Sequence, residues 1–402
     1  MNHKTKKFSK VADGKTTETS LQIVASIDDL LMQILKRVPI KPLIRFKLVS
    51  KHWNYLISSP KFYRLRNPNP NPAAGLFFEC STVNPRYKYV PFSLNKSTNI
   101  LPFIEEPSNI RILESCNGLL LCYSFDVAVD NDGRYFVYNP TVNKLLKLPK
   151  LYEGDGILER VLGMSLAFDP SKSPHYKVVC VRGLIPCFRP FKRQFEVYSS
   201  ETGGSWRKCG EPFLSEVNFQ DGGVYWNGAI HWISHRGKYS LYFNPEDDEM
   251  PRVMPKLPIS NDSSSTSGYY FGESCGHLHY VEILMPLPLF RFNVYEMRRD
   301  YSEWFVKYQI DDSPVVETPF GTSQDDFDVI ESYWYYDLSV VSITTLVRGE
   351  KDENSFLVLL FPGKGIIRYN FVHMTCETIY EFENDEDRSA LKNAFQYIES
   401  FF

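Results

Sequence analysis

Between Asn67 and Pro72 the chain writes Asn-Pro three times in succession. Each proline fixes its own φ, lacks an amide donor and pushes the residue before it toward extended backbone. Such a run is a stiff spacer through which neither a helix nor a central strand can pass. The chain is therefore expected to fold in separate parts on its two sides: a basic, disordered tail over residues 1–22, a helical unit over 23–66, the spacer over 67–74 and a second unit over 75–402.

Upstream of the spacer the hydrophobic period is helical. Leu30, Leu31, Ile34, Leu35 and Val38 recur at helix spacing, with Asp28 or Asp29 placed to cap the first free amides. Pro39 and Pro42 break that helix, and Pro42 suits the first turn of a second one with Leu43, Phe46 and Val49 on its apolar face. Ser50 is placed to cap a third helix carrying Trp53, Leu56 and Ile57, which Ser59-Pro60 stops. Three short helices make a core too small to be comfortable alone. Charge is uneven as well: the net −3 of the whole chain divides into +3 over residues 1–25, +7 over 26–66 and −13 over the rest. A basic head asks for an acidic partner, either nucleic acid or protein.

From Gly75 onward the helical period gives way to short apolar runs between Gly, Pro, Asn and Asp turns, the pattern of an all-β unit. Aromatic residues make up 15% of the chain, which suits strands. A unit also recurs: a Gly turn, a hydrophobic strand, a loop, then an aromatic strand ending in a turn. Cys116-Asn117-Gly118 precedes Tyr138-Asn139-Pro140, Trp226-Asn227-Gly228 precedes Tyr242-Phe243-Asn244-Pro245, and Ser274-Cys275-Gly276 precedes Asn293-Val294-Tyr295. The aromatic marks Tyr138, Tyr198, Tyr242, Tyr295 and Tyr369 stand 60, 44, 53 and 74 residues apart. Propeller blades recur every ~40–50 residues, so the second unit reads as a six- or seven-bladed β-propeller, with a sandwich pair or a barrel as the alternative.

The segments Asp28-Asp29-Leu30-Leu31, Ile34-Leu35-Lys36-Arg37-Val38-Pro39, Lys41-Pro42-Leu43-Ile44-Arg45-Phe46, Val49-Ser50-Lys51-His52-Trp53 and Leu56-Ile57-Ser58-Ser59-Pro60-Lys61-Phe62 closely resemble the F-box as plants write it. Ser115-Cys116-Asn117-Gly118-Leu119-Leu120-Leu121-Cys122, Tyr138-Asn139-Pro140-Thr141 and Tyr397-Ile398-Glu399-Ser400 look like phrases of the plant F-box-associated, kelch-like domain. The resemblance implies a non-enzymatic receptor subunit of an SCF-type ubiquitin ligase. Its F-box would dock on a Skp-type adaptor, and through it on a cullin and a RING subunit, while the C-terminal domain holds an unidentified protein substrate for ubiquitination. On matching positions the adaptor-binding residues are Leu30, Ile34, Leu35, Val38, Pro39, Leu43, Phe46, Val49 and Trp53, some of which must instead pack the F-box itself. The basic residues Lys36, Arg37, Lys41, Arg45 and Lys47 suit an acidic adaptor. One departure stands out: the family places Leu-Pro where this chain has Ser26-Ile27. The alternative is a propeller binding module for a protein or ligand, with a degenerate F-box that joins no ligase.

Other chemistries find little support. No row of Arg, Asn or Gln lies on one helical face to read base edges, which argues against nucleic acid. Cys275, His277 and His279, with Glu282 behind, alternate on one strand, but no second histidine motif follows, so core residues are expected there rather than a metal site. Gly163-Met164-Ser165-Leu166-Ala167 brushes against a nucleophile elbow, yet ends in Ala inside a β pattern. Asp247-Asp248 and Asp325-Asp326 read as solvated turns, and no glycine-rich phosphate loop occurs, so no catalytic residue and no cofactor are expected. The longest apolar runs, at 118–123 and 356–361, are strand-length, far short of the ~20 residues of a membrane helix. Without a secretion signal, the eight scattered cysteines read as reduced thiols of an intracellular protein, in the nucleus, the cytoplasm or both. Candidate target loops are Phe188–Arg193 and Leu284–Phe290.

Overall fold

The structure, a computed structural model, describes residues 27–68, 73–79, 87–92, 110–124, 134–151, 159–184, 192–234, 239–247, 249–258, 266–284, 290–313, 342–361, 365–382 and 393–402. The tail over 1–22, Ser26, half of the spacer (residues 69–72), Asp248, Asp325-Asp326 and most of both candidate target loops lie outside that set.

Four helices open the described chain, where the sequence pattern indicated three: α1 (Asp28–Leu35), α2 (Ile40–Phe46), α3 (Lys51–Ile57) and α4 (Pro60–Arg66). Neither aspartate caps α1. Ile27 occupies the N-cap position without a side-chain bond, and Asp28 lies in the first turn, where its charge suits the helix dipole. Its carboxylate also meets His52 Nε2 of α3 at 3.0 Å. Ser50 does cap α3, accepting the Trp53 amide at 3.1 Å. The fourth helix exists because Ser59-Pro60 is a start as well as a stop. The Ser59 hydroxyl accepts the Phe62 amide at 3.1 Å, and Pro60 fills a first-turn position where no amide is needed.

The chain divides into two compact units, Met1–Ile57 and Ser58–Phe402. In the first, α1 and α2 each pack on α3, and Phe46 meets Trp53 edge-on at 5.6 Å. In the second, α4 belongs with the sheets. Its Phe62 and Tyr63 rings lie 5.9 and 5.8 Å from Phe401, and Tyr63 also touches Phe402 at 5.6 Å. The compact boundary therefore falls ahead of the Asn-Pro run.

The sheets form a six-bladed β-propeller. Five four-stranded antiparallel meanders follow one another over residues 110–147, 159–214, 224–253, 266–313 and 342–381, blades 1 to 5. Blade 6 is composite: Gly75–Glu79 pairs on one side with Tyr87–Pro91 and on the other with the C-terminal strand Ala394–Tyr397. Each blade's innermost strand contacts that of the next, in the order Ile110–Cys116, Glu159–Ala167, Val224–Trp226, Thr266–Ser274, Ser342–Val347 and Ala394–Tyr397, and the last returns to the first.

Packing follows the same circle. Each of six hydrophobic clusters is shared by two neighbouring blades: Val137 with Val178, Val179 with Ile230, Trp226 with Leu278, Val294 with Leu357, Val358 with Leu76, and Phe77 with Leu120. Phe77 and Phe78 are adjacent in one strand, so they point to opposite faces and serve different clusters. Closure of the ring gives each blade a packed neighbour on both sides.

The recurring sequence phrases have structural counterparts. Asn117-Gly118, Asn227-Gly228 and Cys275-Gly276 each have two successive residues at positive φ, between 46° and 90°, as tight type I′ hairpins demand. The first side chain of each pair hooks a backbone carbonyl of the following blade: Asn117 Nδ2 on Phe168 O at 2.7 Å, Asn227 Nδ2 on Arg299 O at 3.1 Å and Cys275 Sγ on Arg348 O at 3.1 Å. Tyr138, Tyr198, Tyr242, Tyr295 and Tyr369 all lie on the third strand of their blades. The asparagines after Tyr138 and Tyr369 accept the amides that begin the next turn.

Candidate functional site

The first unit presents an apolar surface. Leu30 and Ile34 of α1 are 48% and 52% exposed, and Leu48 and Val49, in the turn after α2, are 87% and 59% exposed. Pro39 is exposed too, Val38, Phe46 and Trp53 are half-buried, and Leu35 and Leu43 are interior. The nine residues picked from the motif thus divide between a surface set and a packing set, and Leu35 and Leu43 fall in the packing set. Leu48 and Tyr55, outside those nine motif positions, are also largely exposed. The signal for Leu48 was available: with Leu43 and Phe46 three residues apart on one face of α2, a leucine two residues later points elsewhere. In the same unit Arg37, Lys41, Arg45 and Lys51 are all exposed. Exposed apolar groups together with exposed cations are suited to docking on an acidic protein surface.

The second unit holds a central cavity of about 390 Å³. It is walled mainly by innermost strands, with Glu114 and Ser115 from blade 1, Tyr270 and Glu273 from blade 4, Thr345 from blade 5 and Gln396 from blade 6. Burial pushes the Glu114 carboxyl up to about 8, against a bond from the Leu166 amide at 3.1 Å. Burial likewise raises Glu273 to about 7, against the Gly276 amide and aided by the charge of Asp169.

The remaining sequence candidates have other occupations. His277 Nδ1 lies 2.7 Å and His279 Nε2 3.6 Å from the Glu296 carboxylate, which also pairs with Arg348. Burial disfavours ionisation of Glu296, but the hydrogen bonds and charges of the two histidines outweigh it and hold the carboxyl well below the usual range. These histidines belong to an ion-pair network, and among the described residues no group of three or more candidate ligands is spaced to hold a metal. Ser165 sits within the inner strand of blade 2 with its side chain buried, not at a strand-to-helix turn. Asp247 accepts a bond from Asn244 at 2.8 Å in a turn. Among the described residues no helix is long and apolar enough to cross a membrane.

Comparison with known proteins agrees with both units. Residues 28–65 match the F-box domain family, and residues 75–264 match the family described as the F-box associated beta propeller domain. F-box protein At5g07610 of Arabidopsis thaliana is 31% identical over 416 residues, covering 96% of this chain and 94% of its own length. The chain belongs to the plant F-box proteins. A second Arabidopsis relative, F-box protein At5g49610, is 30% identical over 273 residues, 64% of this chain and 71% of that protein. Among solved structures, an oligogalacturonate lyase from Vibrio parahaemolyticus aligns at 10% identity with a TM-score of 0.36, covering 69% of this chain and 81% of that one, and nothing about activity follows from it. This F-box protein has the architecture of a substrate receptor: an F-box, which implies a Skp-type adaptor as partner, followed by a propeller. The F-box match runs through α4, so the last turn of the motif is part of the propeller's own compact unit.

Proposed function

We propose that this F-box protein is the target-recruiting subunit of an SCF-type cullin–RING ubiquitin ligase and has no catalytic role of its own. The Skp-type adaptor would cover the apolar surface of α1 and the turn after α2, joining the chain to a cullin and its RING subunit inside the cell, in the nucleus, the cytoplasm or both. The propeller would hold a protein target for ubiquitination. The observation that carries this reading is the exposure of Leu30, Ile34, Leu48 and Val49 in a small basic unit that matches the F-box family. Large apolar groups concentrated on so small a surface mark an interaction site.

The test is capture of a co-expressed plant Skp-type adaptor by the full chain. Ile34→Asp should weaken capture about thirtyfold or more, since central interface truncations cost ~2 kcal/mol or more. Helical content should change little, because Ile34 is 52% exposed and lies outside the buried core. Leu35→Ala serves as the contrast: it removes a buried side chain, typically ~2–5 kcal/mol, and should act through unfolding of the helices. Undiminished capture by Ile34→Asp would sink the docking assignment. Failure of the wild-type chain to capture, even with Leu-Pro restored at Ser26-Ile27, would favour a propeller that joins no ligase.

A further inference from the structure

We propose that the propeller channel receives a basic side chain, an arginine or a lysine, of the protein target. This rests on the receptor reading above and adds the chemistry by which the target is gripped.

Among the described residues the charged groups lining the channel are Glu114, Asp221 and Glu273, with no lysine, arginine or histidine. Glu114 is only 9% exposed, one of its oxygens accepts the Leu166 amide, and Oε2 has only the Ser165 hydroxyl and the Gly223 amide as neighbouring donors, neither of them charged and neither in close hydrogen-bond geometry. The backbone passes that oxygen without a side chain: a Cβ added at Gly222 would lie 4.0 Å from Oε2. At Gly223 no side chain would fit at all, because a Cβ would come within 2.4 Å of Ile230 Cγ2 and 2.7 Å of Ser165 Oγ. Asp221, just before these glycines, is exposed.

A buried carboxylate held only by neutral donors and without a counter-charge is costly. The raised Glu114 and Glu273 carboxyls express the same deficit, since no cation is among the causes acting on either. A trapped water could satisfy Oε2, but it brings no positive charge. A guanidinium or ammonium group supplies both donors and charge. The aromatic wall, Tyr225, Tyr269, Tyr270 and Phe271, suits the methylene stem of such a side chain and its cationic head. The cavity volume is within the ~300–1,000 Å³ of ordinary ligand sites.

The test uses the full-length chain and two fluorescent peptide pools, randomised except for a central arginine in one and a central citrulline, its neutral near-isostere, in the other. Free spermidine is the third probe. The arginine pool should bind at least tenfold tighter than the citrulline pool. Glu114→Gln and Asp221→Asn should each reduce that preference to threefold or less, with melting temperature followed alongside. Should Glu114→Gln fail to fold, the exposed Asp221→Asn decides. Equal binding of the two pools, no binding of either, binding of spermidine alone, or well-folded variants with the preference intact would each overturn the proposal. Adaptor capture is measured on the same preparations. Intact capture without arginine preference rejects the channel proposal and leaves the receptor reading standing, whereas loss of capture in the wild type rejects the receptor reading itself.

Discussion

The first compact unit and the propeller leave opposite things unfinished. In the helices, apolar side chains remain outside: Leu30, Ile34, Leu48 and Val49 face solvent while a handful of residues form the interior. In the propeller the apolar groups are shared between neighbouring blades all around the ring, and what is left uncompensated is polar and inside, foremost the Glu114 carboxyl, which has no counter-charge among the causes acting on it. Forty-odd residues cannot surround their own hydrophobic side chains, whereas a closed ring of sheets can. The difference teaches where each unit's partner must be sought: an apolar, acidic-rimmed surface for the helices, and a charged group for the channel.

The sharpest way to break this comparison is to attack the propeller's self-sufficiency where the chain ends. Phe401 is buried and packs on Phe62 and Tyr63 of α4. Neighbouring Phe402 O accepts Asn139 Nδ2 of blade 1 at 2.7 Å. Phe401→Ala should cost ~3–5 kcal/mol, as Phe-to-Ala changes in well-packed cores do, measured by denaturant unfolding of the full chain. Adaptor capture should persist below the new transition, because the docking residues lie on α1 and the turn after α2. A change under ~1 kcal/mol would mean that α4 is only loosely held.

Much of this arrangement was legible in the sequence, and the illegible parts share one cause. Helix spacing placed α1, α2 and α3, and the Asn-Gly turns and third-strand tyrosines marked five blades, because these signals are local. Locally Ser59-Pro60 is only a stop, since the rings that make the fourth helix worth forming, Phe401 and Phe402, are more than 300 residues away. Blade 6 gave no local sign that Gly75–Glu79 would pair with Ala394–Tyr397. The channel carboxylates were equally hidden: attention to adjacent acidic pairs finds Asp247-Asp248, whereas Glu114, Asp221 and Glu273 meet only through ring closure. Which apolar helix residues face outward is likewise a property of packing, which is why Leu35 and Ile34 look interchangeable in the motif and differ in the structure.

A second experiment sharpens the contrast through pH. Burial places Glu114 near 8 in the folded chain, above the ordinary glutamate value of 4.5. Between those two values the folded state holds a proton that the unfolded state has released, so stability falls as pH rises across that window and levels off above about 8. The slope attributable to one such group is at most ~1.4 kcal/mol per pH unit. Glu114→Gln should flatten the fall in melting temperature between pH 6 and 8.5. An equally steep fall in the variant would assign the effect to other groups.

The smallest effect separates the two contributions of a blade hook. Asn117 supplies a side-chain bond to Phe168 O and a backbone at φ 46°, and the two can be removed one at a time. Asn117→Gly keeps the left-handed backbone and loses only the bond, so about 1 kcal/mol should go. Asn117→Ala loses the bond and also forces a Cβ into a conformation alanine disfavours, adding about 1 kcal/mol more. Equal unfolding midpoints for the two variants would show that the turn relaxes and that only the hook matters. If both match the wild type, the blades are held by their hydrophobic clusters alone. The ring would then be self-sufficient through its apolar packing, which is the property the helical unit lacks.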